Sequence, residues 1–153
     1  MANTYTQIHL HFIFGVKHRA AVIKPVWEDE LYRYITGIVQ NNGHKMIIIN
    51  GMPDHLHLLV GTRPTQSVSN LLQDIKGSSS KWINEHNFSS HKFAWQGGYG
   101  AFSYSRSQLP TVINYIKRQK EHHKKRSFRQ EYIAFLEKFD VDYDERYIFN
   151  EPV

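Results

Sequence analysis

Two histidines separated by one leucine, His55 and His57 in GMPDHLHLLVG (51–61), are the first residues whose spacing implies chemistry. On an extended strand alternate side chains share a face, so both imidazoles project together while Leu56 and Leu58 turn the other way. Two neutral imidazoles held side by side can share one metal ion, or they can close off a core edge. A second pair, Tyr115 and Gln119 in NYIKRQKEHH, is spaced to lie one turn apart on one helix face. A phenol is a weak nucleophile, with a pKa of about 10, unless a metal or a base activates it. The Gln119 amide oxygen can ligate a hard cation, and Lys117, Arg118 and Lys120 surround it with positive charge. Phosphodiester transfer needs a nucleophile, a cation to polarise the phosphoryl oxygen, and charge to hold the backbone. These residues supply each. Two imidazoles and an amide oxygen suit Mg²⁺ or Mn²⁺, with water and phosphate oxygens in the remaining positions.

Such residues act together only if the chain brings them together. Tyr5 to Val16 (YTQIHLHFIFGV) alternates and is rich in β-formers, and it carries a further pair, His9 and His11. Pro25 opens a helix whose apolar positions, from Trp27 and Leu31 to Val39, end at Asn41-Asn42-Gly43. Lys45 to Asn50 and His55 to Val60 read as a hairpin around Gly51-Met52-Pro53-Asp54. A second helix follows, capped by Ser67 or Thr65, with Gly77-Ser78-Ser79-Ser80 interrupting its apolar face. Those small residues read either as a weak helical segment or as room for a phosphate backbone beside Lys76 and Lys81. A last strand falls near Ala101 to Ser105. Leu109-Pro110 starts a third helix, and Phe128 to Phe139 reads as a fourth. The fold class is therefore α+β: a ferredoxin-like βαββαβ sheet with helices on one face, plus extra C-terminal helices. Its first and third strands are neighbours, which brings the two histidine pairs near each other on the uncovered face.

The 153 residues show no repeat, and 41% are hydrophobic, which implies a single domain spanning 1–153. Its core covers about 4–126, followed by a helical and acidic extension over about 127–153. There is no cysteine, so disulfides and thiolate metal sites are excluded. The N-terminus lacks the pattern of a signal peptide and no apolar run has the length of a membrane span, so a cytoplasmic location is expected. Charge is unevenly spread. Arg106 to Gln130 holds eight basic residues against one acid, and Glu131 to Val153 holds seven acids against two bases. A basic segment of this kind suits a polyanion, nucleic acid above all. Candidate DNA contacts are Arg106, Lys117, Arg118, Lys120, His122, His123, Lys124, Lys125 and Arg126, with Lys76 and Lys81 on the second helix.

Taken in order, HFIFGVKHR, GMPDHLHLLV, KGSSSKWI, WQGGYGAFSYS and NYIKRQKEHH resemble the single-tyrosine HUH transposases of simple insertion sequences and their relatives associated with repeated extragenic palindromes. Tyr104 is the one small departure, standing where a smaller apolar residue is expected. The resemblance implies a single-strand DNA endonuclease and strand transferase, with Tyr115 as the nucleophile forming a 5′-phosphotyrosine link and releasing a 3′-hydroxyl. It implies His55, His57 and Gln119 as metal ligands, hairpin DNA as the partner, and a homodimer in which one subunit's tyrosine helix can complete the other's site. It requires no nucleotide cofactor. A histidine-triad hydrolase would need a third histidine where Leu59 stands; a zinc hydrolase would recruit Asp54, His9 or His11. The non-enzyme alternative is a ferredoxin-like single-stranded nucleic-acid-binding protein, stacking bases on Phe12, Phe14 and Tyr104. A domesticated relative, nicking or binding hairpins without mobilising anything, has the same sequence features as an active transposase.

Overall fold

The computed structural model describes residues 3–122 and 126–148. Four strands, β1 (His9–Gly15), β2 (Lys45–Met52), β3 (His55–Gly61) and β4 (Gly100–Tyr104), form one antiparallel sheet in the order β2-β3-β1-β4. Helices α1 (Pro25–Asn41) and α2 (Val68–Glu85) cross over between β1 and β2 and between β3 and β4. The expected βαββαβ order and the neighbouring of the first and third strands are both present. The first strand is shorter than its β-forming residues suggest, beginning at His9 rather than Tyr5.

One sheet face is built as expected. Phe12, Phe14, Leu56, Leu58 and Val60 pack against Trp27, Leu31, Ile35 and Val39 of α1 and Leu71, Leu72 and Ile75 of α2. Phe12 and Phe14 are fully buried here, so they offer no surface for stacking bases. Ser67 caps α2 by accepting from the Asn70 N–H at 3.1 Å. The small-residue run does not break α2. The hydroxyl of buried Ser79 donates to the Ile75 carbonyl and accepts from Trp95 Nε1 at 2.9 Å, which ties the loop before β4 to the helix.

The opposite face is covered as well. Helices α3 (Leu109–Lys117), α4 (Gln119–His122) and α5 (Phe128–Lys138) follow β4. Val112 and Ile116 of α3 and Phe128, Tyr132, Phe135 and Leu136 of α5 join Ile13, Leu59, Phe102 and Tyr104 of the sheet in a second core. The third helix expected from the sequence is interrupted at Arg118, whose φ of −100° and ψ of 24° separate α3 from α4. Helix α5 starts on a capping box: Ser127 accepts from the Gln130 N–H, and the Gln130 side chain accepts from the Ser127 N–H. No helix among the described residues is long and apolar enough to cross a membrane.

Candidate active site

Strand register decides what lies under α3 to α5. Because β1 and β3 pair Gly15 with His55, Ile13 with His57 and His11 with Leu59, these six residues share the face under α3 and α5. His55 and His57 are both fully buried there. The two-residue turn Pro53-Asp54 sets the register of β3 on β2, with Met52 opposite His55, and Gly51 permits it: a Cβ at that position would lie 2.3 Å from the His55 carbonyl oxygen. Gly15 has a similar task. Its missing side chain leaves room for the Phe128 ring, which stacks on the His55 imidazole with centroids 4.1 Å apart.

The helices bring the other pair to this face. Gln119 is fully buried, and its Oε1 lies 3.4 Å from His55 Nε2. Tyr115 is half-buried and lies edge-on to His57. Neither contact needs a continuous helix; the break at Arg118 starts α4 on Gln119 and leaves that side chain against the sheet.

Between the two pairs stands a residue counted, from sequence, as the first acid of the acidic tail. Glu131, in the first turn of α5, is fully buried. Its Oε1 accepts from His57 Nε2 at 2.9 Å and lies 3.4 Å from His55 Nε2. Its Oε2 accepts from the Tyr115 hydroxyl and from Gln119 Nε2 at 3.2 Å. The carboxylate thus turns one oxygen to the histidines and the other to the phenol. His55, His57 and Glu131 offer three ligand atoms within 4.8 Å of one another, a set able to hold a cation. Two imidazoles, a carboxylate and an amide oxygen together form a donor set able to ligate a divalent metal ion.

Behind the histidines lie two of the residues weighed as zinc ligands. Asp54 accepts from His55 Nδ1 at 2.7 Å, and His11 Nε2 lies 2.8 Å from His57 Nδ1. Burial alone would lower the His55 pKa, but its hydrogen bonds to Asp54 and Glu131 raise it above the ordinary value. Burial first, and then His57, hold His11 well below the ordinary value, so it stays neutral. Burial and the Glu131 carboxylate push the Tyr115 phenol up, which keeps its proton on at neutral pH.

The basic candidates divide. Lys76 Nζ donates to the carbonyls of Gln96 and Gly98 at 2.6 and 2.8 Å, and Lys120 Nζ donates to the Gly51 carbonyl and pairs with Glu28 at 3.2 Å. Both hold backbone in place. Lys81 and Arg118 are exposed, each beside an acid of its own helical stretch, Glu85 and Glu121. Arg106 and Lys117 are exposed, and exposed Arg126 lines a pocket with Tyr104, Val112, Tyr115, Phe135 and Lys138. The backbone of His122 ends α4, while His123, Lys124 and Lys125 lie outside the described residues.

The model of the IS200-like transposase family matches residues 4–119. The chain belongs to that family. Its membership confirms the single-tyrosine HUH resemblance carried by its motifs. This IS200-like chain is 33% identical over 75 residues to the ISDra2 transposase TnpA of Deinococcus radiodurans, covering 49% of its own length and 54% of that protein. The match thus spans about half of that curated relative. Among solved structures, a Deinococcus radiodurans protein assigned as a transposase superposes with a TM-score of 0.62 at 23% identity, over 78% of this chain and 95% of that one. A REP-associated tyrosine transposase bound to a REP hairpin gives a TM-score of 0.62 at 13% identity, over 100% of this chain and 97% of that one. At these identities the likeness is one of fold. It extends over the IS200-like chain's C-terminal helices, beyond the residues the family model matches.

Proposed function

We propose that the protein is a metal-dependent single-strand DNA endonuclease and strand transferase that acts at hairpins through a 5′-phosphotyrosine intermediate. One observation carries this reading: a phenol, two imidazoles, an amide and a carboxylate converge in one buried cluster within an IS200-like fold. The hairpin-bound structure with the same fold supports the choice of DNA.

In this reading His55, His57 and Gln119 hold the cation, with the Glu131 oxygen that faces them within reach. When bound, the cation supplies Lewis acidity at the phosphoryl oxygen. Tyr115 Oη attacks the phosphorus, a P–O bond forms, and the bond to the departing 3′-oxygen breaks. Glu131 Oε2 takes the phenolic proton that it already accepts in a hydrogen bond, and the 3′-oxygen is protonated from solvent. The phosphodiester energy stays in the tyrosine link, so rejoining by a 3′-hydroxyl needs no nucleotide. Arg106, Lys117 and Arg126 are the described cations best placed to meet a DNA backbone. Helix α5 is then part of the working unit, because it supplies Glu131.

Incubating the protein with end-labelled hairpin oligonucleotides and Mn²⁺ or Mg²⁺ should give a protein–DNA band that survives denaturation. Chelation or His57→Ala should remove it. Binding without an adduct, across a broad hairpin panel and both metals, would instead favour a nucleic-acid-binding module.

The geometry also bears on the expected homodimer. Tyr115 reaches the Glu131–His57 pair of its own chain. If two copies pair around DNA, each carries a whole site. Mixing Tyr115→Phe with His57→Ala protein should therefore yield no adduct. Restored adduct in the mixture would show that the tyrosine works in trans.

A further inference from the structure

We infer that His11 is the positioning residue that orients the His57 ring and receives its Nδ1 proton when His57 binds a divalent cation through Nε2; this rests on the metal site proposed above. His11 and His57 are both fully buried and stand diagonally across the β1–β3 pair on one face. Their ring nitrogens approach to 2.8 Å, and the rings are stacked with centroids 5.0 Å apart. His11 also meets the rings of Phe102, Tyr104 and Phe135. An apolar side chain would suit those rings better, since the His11 Nδ1 atom has no hydrogen-bond partner among the described residues. The burial of an imidazole at this position therefore calls for a reason, and its contact with His57 supplies one.

A histidine that ligates a metal through one ring nitrogen carries its proton on the other, and an acceptor for that N–H fixes the ring. His55 donates its Nδ1–H to the Asp54 carboxylate. His57 has His11 in the corresponding place. Without a cation, His57 donates its Nε2–H to Glu131, so its Nδ1 accepts from His11 Nε2–H. With His57 Nε2 turned to a cation, the His57 proton sits on Nδ1 and is donated to His11 Nε2, while the His11 proton sits on Nδ1. Each ring keeps one proton in both states. The hydrogen bond reverses direction with no change of charge, and a neutral imidazole at position 11 is suited to both roles.

The test uses DNA-free protein. Mn²⁺ binding is measured by calorimetry, and ring-nitrogen NMR follows the histidine tautomers as Mg²⁺ is added. Wild type should bind, with His57 moving from Nε2–H to Nδ1–H. Folded His11→Phe should bind about 10- to 100-fold more weakly. His11→Gln, whose amide can also accept or donate, should recover most of that loss. A folded His11→Phe binding within about twofold of wild type, or a His57 that keeps its Nε2–H at saturating Mg²⁺, overturns the inference alone. Absence of binding by wild type overturns the metal site and this inference with it. If His11→Phe fails to fold, the wild-type tautomer shift and the Gln variant decide.

Discussion

Tyr115→Phe should abolish the covalent adduct while leaving the fold intact. The ring, which packs edge-on to His57 and Phe135, is kept; only the hydroxyl is lost. Losing a hydrogen bond to a carboxylate costs about 1.5 kcal/mol at a half-exposed position. Losing the nucleophile lowers strand cleavage by at least about 10³-fold, because no other group in a buried cluster takes over its step. A denaturing gel reads the adduct, thermal unfolding reads the fold, and filter binding reads hairpin affinity, which should stay within a few-fold. Cleavage at the wild-type rate by the variant would remove Tyr115 from the reaction.

Glu131→Gln should have the next largest effect. The amide keeps the shape of the carboxylate but cannot take the phenolic proton. General-base contributions run to about 10²–10⁴-fold, so single-turnover adduct formation at saturating Mn²⁺ should fall by about that much. Stability should drop too. The carboxylate accepts from His57 Nε2, the Tyr115 hydroxyl and Gln119 Nε2, whereas an amide turns its own N–H groups towards some of those donors. A loss of about 1–3 kcal/mol is expected on chemical unfolding. Unchanged or faster adduct formation would show that Glu131 fills the cluster without taking a proton.

The two pairs His55/His57 and Tyr115/Gln119 were legible because strand and helix periods are local rules. Alternation puts the histidines on one face wherever the strand lies, and a four-residue spacing keeps Gln119 near Tyr115 even across the break at Arg118. That break was not legible; no proline or glycine marks it. Glu131 was hidden by charge counting, which grouped it with the acids that follow. A trace was present nonetheless. Ser127-x-x-Gln130 fixes where α5 starts, and Glu131 then falls between Phe128 and Tyr132, inside the stripe that continues to Phe135. An acid on the buried stripe of a helix needs a polar partner, and the histidines are that partner. The lysines show what a count of charge leaves out. Sequence gives a charge but not its neighbours, and the nearby carbonyls claim Lys76 and Lys120.

The Pro53-Asp54 turn makes chain length a chemical variable. Strand β3 is buried on both faces, with Leu56, Leu58 and Val60 towards α1 and α2 and the imidazoles and Leu59 towards α3 and α5. One residue inserted after Asp54 and taken up by a one-step slip of β3 would exchange its two faces. The imidazoles would enter a hydrocarbon core without Asp54, Glu131 or His11 to receive their protons, and Leu56 and Leu58 would face the phenol. No catalytic side chain would have been altered, yet the cluster would no longer exist. Variation in the length of this turn is thus a sharper guide to which homologous chains keep the chemistry than substitution on the surface helices.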